Sequence, residues 1–178
     1  MITSNIAKGS AEIDLNLLAS EACSRKGIPR LVAQNMIPIL NKLSTEYAAL
    51  LTDGDVSLEY IIDEKTDDLD VEVVNPTGSC KLEGQSAGER ATIGLISALT
   101  LRDAQEQKTN LLILDEPGNG LDAATQKKLV SVLELLGTRN DTVIVTSHSQ
   151  EFLNRVSGIG KHWTVTKQNK ISSLSTED

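Results

Sequence analysis

A chain of 178 residues can bury one ordinary hydrophobic core. Its 39% hydrophobic and 24% charged residues describe a globular protein, and no run approaches the roughly 18 apolar residues of a membrane helix. A net charge of -8 argues against this chain alone gripping nucleic acid, since nonspecific affinity comes from phosphate neutralisation, and 2% aromatics leave no base-stacking platform.

Residues Ser10 to Arg25 have helical spacing, with Ile13, Leu17 and Leu18 as the apolar stripe. Gly27 interrupts, and Ile28-Pro29 restarts a helix with proline in its first turn, where the missing N–H costs little. Ile28, Val32, Met36, Ile39, Leu43, Tyr47 and Leu50 then recur every three or four residues, the mark of a packed helix or a coiled-coil strand. Pro38 is expected to bend it, and Asp53-Gly54-Asp55 to end it. Val56 to Ile62 and Leu69 to Val74 read as an antiparallel strand pair separated by the acidic loop Asp63 to Asp68 and closed by Asn75-Pro76-Thr77-Gly78.

A helix is expected from Ser86 to about Glu106, then a strand over Leu111–Leu114, a helix over Ala123–Leu136 and a second buried strand over Thr142–Thr146. Strand, helix and strand in succession make a βαβ unit with parallel strands. A short helix, Gln150 to Val156, leads to a hairpin around Trp163–Thr166 and Ile171–Leu174.

Four consecutive apolar residues before Asp115-Glu116 fit a central parallel strand covered on both faces. Such a strand sets two adjacent carboxylates at the carboxyl edge of a sheet, where a nucleotide-bound Mg²⁺ is the ligand that would balance their charge. The competing reading is an ordinary acidic turn. Ser86-Ala87-Gly88-Glu89 is a capping box, complete without a ligand. The same helix N-terminus, with a serine hydroxyl and a glycine, also suits an anion. Asp122 reads as the N-cap of the Ala123 helix. His148 closes the second strand just before a helix start, and a surface role competes with a functional one there.

Order and spacing of these segments resemble the second half of an ABC-type ATPase: signature (Gln85-Ser86-Ala87-Gly88-Glu89-Arg90), Walker B (Leu111 to Glu116), D-loop (Gly120-Leu121-Asp122) and switch histidine (His148). Gln85 and Ala87 stand where the usual signature has leucine and glycine. The helix over Ile28–Gly54, the β-pair that follows and the Glu89-Arg90 ending resemble the SMC-like, SbcC-type branch of DNA repair ATPases and their phage counterparts. That resemblance implies an α/β fold, the C-terminal half of an ABC-type head, with a parallel βαβ core, a coiled-coil-derived helix over 1–52 and the lobe itself over 53–178. It implies that Asp115 holds Mg²⁺, Glu116 polarises the attacking water and His148 meets the γ-phosphate of ATP. Ser86, Gly88, Glu89 and Asp122 would face a nucleotide across a head-to-head dimer.

The glycine loop Gly-x-x-x-x-Gly-Lys-Ser/Thr does not occur in the 178 residues. The expectation is therefore a lobe that needs an N-terminal Walker A partner, assembles with an SbcD-type nuclease and reaches DNA through that complex. A non-catalytic scaffold remnant and a transporter ATPase fragment are the rival readings. Cys23 and Cys80 form no CxxC pair, Met1 to Ser10 lack a signal-peptide pattern, and a reducing cytoplasm is the expected compartment.

Overall fold

The computed structural model describes residues 13–63, 65–66, 68–76, 78–80, 82–105 and 109–177. Ser10 and Glu106, which bound helices expected from the sequence, and Thr77, within an expected turn, lie outside them. Residues 13–22 are helical, but Ile13, Leu17 and Leu18 are exposed rather than packed. Helix α1 (Ile28–Thr52) starts with proline in its first turn and runs through Pro38. It stops where Asp53 and Gly54 turn left-handed, at φ 57° and 84°. Glycine tolerates that turn without a Cβ clash.

The buried face of α1 is Leu40, Ser44, Tyr47, Ala48 and Leu51, so of the expected stripe only Tyr47 is fully buried. Ile28, Val32, Ile39 and Leu50 are exposed. Apolar residues occur on more than one side of this helix, and its partners select the face. Its fully buried residues all lie from Leu40 onward, where it meets β1 (Ser57–Ile62) and the helices that follow.

Strands β1, β2 (Leu69–Asn75) and β3 (Gly78–Cys80) form an antiparallel sheet in that order. The 75–78 segment thus leads into a third strand instead of closing a pair, with Asn75 opposite Gly78. The free edge of β1 is covered by α1. Asn41 Oδ1 accepts from the Tyr60 N–H at 2.7 Å, and its Nδ2 donates to the Tyr60 carbonyl at 3.3 Å. Ser44 Oγ donates to the Leu58 carbonyl at 2.9 Å. These side chains stand in for a missing neighbouring strand.

Helix α2 (Ala87–Asp103) leads to β4 (Leu111–Asp115), then α3 (Ala123–Arg139) and β5 (Thr142–Thr146). The two strands are parallel, Leu111 opposite Thr142 through Asp115 opposite Thr146. This is the expected βαβ unit, extended by a few residues. The expectation of a central strand buried on both faces is corrected. Among the described residues the sheet has two strands, and Leu111, Ile113 and Ile144 are 46%, 59% and 45% exposed. Leu112 joins Leu129, Val132, Leu133 and Leu136 of α3 in the core, so α3 covers one face, while no described element covers the other.

One cluster of buried side chains links α1, β1, β2, α2, β4, α3 and α4 (Gln150–Val156). Phe152 of α4 is wholly buried. The chain ends in the antiparallel hairpin β6 (His162–Gln168) and β7 (Ile171–Glu177), turned by Asn169 and Lys170, both at positive φ.

Candidate functional site

The chemistry-bearing residues fall into two groups on either side of the turn after β4. The first stands at the carboxyl ends of the parallel strands. Asp115 ends β4, exposed, and its Oδ1 accepts a short hydrogen bond from the Thr146 hydroxyl at the end of β5. Glu116 leaves the strand at φ 49°, a left-handed conformation that costs a non-glycine residue energy. Its N–H donates to the Thr146 carbonyl at 3.0 Å. That turn aims its carboxylate sideways at the loop after β5.

Three donors meet the Glu116 carboxylate. Oε1 accepts from the His148 N–H at 2.8 Å and faces His148 Nδ1 at 2.6 Å, and Oε2 accepts from Ser147 Oγ at 3.0 Å. The His148 ring is the foremost of the contacts that hold this carboxyl below the usual glutamate range, with Ser147 and the His148 backbone adding to it. An ionised carboxylate at that distance requires the proton on Nδ1. A neutral His148 therefore offers Nε2 outward as an acceptor, and only the imidazolium donates on both sides. The side chain of His148 is 82% exposed, so Nε2 is open to solvent.

Hard carboxylate oxygen at a sheet edge suits Mg²⁺, which is usually held by one or two carboxylates together with substrate phosphates. No cluster of three or more His, Cys, Asp or Glu able to hold a metal occurs among the described residues. The hard oxygens of Asp115 and Glu116 are of the kind that, together with substrate phosphates, suit Mg²⁺.

The second group lines an open groove of about 630 Å³. Both readings of the Ser86 segment use the same atoms. Ser86 Oγ accepts from the Glu89 N–H at 3.3 Å and Glu89 Oε2 accepts from the Ser86 N–H at 2.8 Å, a complete capping box. The Ser86 hydroxyl first, then the Ser86 N–H, hold the Glu89 carboxyl below its usual range. Ala87 takes the first helical position, so its methyl needs no unusual backbone. Asp122 caps α3, accepting from the Thr125 N–H at 2.7 Å, and this bond is the main cause that lowers its pKa. Gly88 and Gly120 bring the two helix starts together: a Cβ at 88 would lie 3.5 Å from the Gly120 carbonyl oxygen. Gly120 itself sits at φ 76°.

Asp115, Glu116 and His148 thus form one constellation, and Ser86, Gly88, Glu89 and Asp122 another. Sequence reasoning passed over Thr146, Ser147 and Lys128. The first two were visible as hydroxyl residues between the apolar run of β5 and His148. Lys128, which lines the groove, had no local signal beyond its helical register with Asp122 and Thr125.

A family model described as "AAA domain, putative AbiEii toxin, Type IV TA system" matches residues 61–154, more than half of the chain and every site residue above. A solved SMC ATPase, studied for ATP-driven dimerization and DNA-stimulated activation, superposes with a TM-score of 0.72 over 84% of this chain and 89% of that one, at 16% identity. The chain belongs to this AAA-domain family, as an SMC-like, SbcC-type ABC ATPase head region. A DNA double-strand break repair Rad50 ATPase of Aeropyrum pernix is 30% identical over 147 residues, 79% of this chain and 16% of that protein. The nickel import ATP-binding protein LarO of Lactiplantibacillus plantarum is 31% identical over 80 residues, 45% of this chain and 30% of that protein. The chain spans less than a third of either relative. A match over 79% of the chain extends into α1, beyond what residues 53–178 alone supply. No helix among the described residues of this head region is long and apolar enough to cross a membrane.

Proposed function

We propose that this chain is the C-terminal lobe of an SMC-like ATPase head, completed by an N-terminal lobe that carries the Walker A loop. Residues 1–52 act as the returning coiled-coil arm and 53–178 as the lobe. Asp115 is the residue to hold Mg²⁺, which when bound with ATP neutralises charge on the β- and γ-phosphates. Glu116 stays ionised under its three hydrogen bonds and serves as the proton acceptor for the attacking water. His148, as the imidazolium that donates on both sides, meets the γ-phosphate through Nε2. Ser86, Gly88, Glu89 and Asp122 face the nucleotide of a second head. The completed heads couple ATP turnover to DNA break processing with an SbcD-type nuclease, in a cytoplasmic complex.

The observation that carries this reading is the 2.6 Å Glu116–His148 contact beside Asp115 at the carboxyl end of a parallel strand pair. An acidic turn without function gives no reason for three donors to converge on one exposed-edge carboxylate. The exposed face formed by Leu111, Ile113 and Ile144 supports a second lobe that covers it. The test is ATPase activity of this chain assembled with a Walker A lobe, wild type against Glu116→Gln. Loss of turnover with ATP binding retained is expected, and unchanged turnover rules out Glu116 as the base. A partner-independent scaffold would show no nucleotide-dependent assembly at all.

A further inference from the structure

The groove between the starts of α2 and α3 is acidic. Asp55, Glu89 and Asp122 line it, and Lys128 is the one cation among the described residues that do so. A triphosphate at Ser86 shares the groove with those carboxylates, and the single ammonium is the charge there that offsets their repulsion. Lys128 stands on α3 three residues after Thr125, on the groove face. Its Nζ contacts Asp53 Oδ2 at 2.6 Å. Asp53 is the left-handed C-cap of α1, and its side chain is 75% exposed against 28% for Lys128. An ion pair with so exposed a carboxylate is weak and easily exchanged. Hydrogen bonds from an ammonium to phosphate oxygens are charge-assisted and stronger.

We propose that Lys128 is a positioning residue for the nucleotide of a second head: its ammonium leaves Asp53 and donates to the triphosphate seated at Ser86. This rests on the reading of the groove as the site that faces the partner's nucleotide. Asp53 then acts as a competitor that holds Lys128 while the groove is empty, at the point where α1 ends.

The experiment uses this chain assembled with its Walker A lobe, in a Glu116→Gln background, with the Mg²⁺–ATP concentration for half-maximal head pairing measured by sedimentation. Lys128→Gln is expected to raise that concentration about tenfold, the loss of one charge-assisted contact. Asp53→Asn, which breaks the same ion pair from the other side, is expected to lower it. Opposite shifts support the proposal. If both variants weaken pairing alike, the ion pair is only a clamp between α1 and α3 and the proposal is overturned. If neither shifts pairing while Ser86→Arg abolishes it, the proposal falls and the reading of the groove stands. If the assembled heads show no response to Mg²⁺–ATP, both fall together.

Discussion

Tyr47 donates its hydroxyl proton to Asp103 Oδ2 at 2.6 Å, fastening the buried half of α1 to the last residue of α2. Arg102 and Arg139 complete the cluster, at 2.9 and 3.4 Å from the two oxygens of Asp103. Burial first, then the bond to Asp103, raises the Tyr47 phenol far above its ordinary 10.0. A raised folded pKa keeps its stabilisation intact below the unfolded value and loses it as the pH climbs past about 10 toward the folded one. Tyr47→Phe should therefore cost about 1 kcal/mol at neutral pH and flatten the alkaline loss of stability. Urea unfolding at neutral and strongly alkaline pH measures both.

Tyr60 supplies the matched contrast. Its ring is as deeply buried as that of Tyr47, but its hydroxyl has no hydrogen-bond partner among the described residues. Removing an unsatisfied buried polar group relieves its desolvation cost. Tyr60→Phe should be neutral or stabilising by about 1 kcal/mol in the same unfolding assay, the opposite sign to Tyr47→Phe.

Legibility in the sequence followed the range of the interactions. The βαβ order, the caps at Ser86 and Asp122 and the acids at the end of β4 depend on neighbours a few residues away, and local pattern suffices to find them. The buried face of α1 depends on Asn41 and Ser44 meeting β1 and on Tyr47 reaching Asp103, contacts spanning 14 to 56 residues. No periodicity encodes those partners. The open face of β4 is illegible for a related reason: four apolar residues in a row describe what a strand can bury, not how many neighbours lie within the same chain. The Glu116–His148 pair was legible only as two separate candidates, because 32 residues and a parallel crossover bring them together.

At Ser86 a single substitution separates capping from anion binding. Aspartate caps a helix as well as serine does, and a negative charge there favours the helix dipole. The same charge repels a phosphate. Ser86→Asp should stay folded with the cap in place, at a small cost from the neighbouring Glu89, while abolishing ATP-dependent pairing of assembled heads. Ser86→Ala should lose about 1 kcal/mol of stability. If Ser86→Asp pairs normally, the groove does not receive a phosphate at this serine.

The Glu116–His148 contact gives a pH-resolved prediction. A carboxyl held below its usual range contributes stability above the unfolded pKa and loses it as the pH falls through the folded value. The acid titration of the Glu116 carboxyl, followed by carbon NMR, should lie below that of an ordinary glutamate. In His148→Ala it should move upward, since the imidazole is the largest single cause. An unchanged titration in that variant would show that Ser147 and the backbone N–H hold the carboxylate alone.

Glycine substitutions test the packing beneath the site. Gly118 lies in the turn after Glu116, and a Cβ there would stand 3.0 Å from Cδ2 and 3.2 Å from Cγ of Phe152. Phe152 is wholly buried and belongs to α4, which begins directly after the His148 loop. A wholly buried ring must give by a few tenths of an ångström for that Cβ, so Gly118→Ala should cost about 1–3 kcal/mol by overpacking. The strain would be relieved by moving α4 or the turn, and either displaces Glu116 relative to His148. Gly94, exposed in the interior of α2, is the control: nothing lies within 4 Å of its added Cβ. Gly94→Ala should stabilise by about 0.5–1 kcal/mol, the helix-propensity difference. Thermal melts of the two variants should shift in opposite directions, and only Gly118→Ala should also alter the Glu116 titration. A neutral Gly118→Ala would mean that the turn carrying Glu116 is not pinned by Phe152.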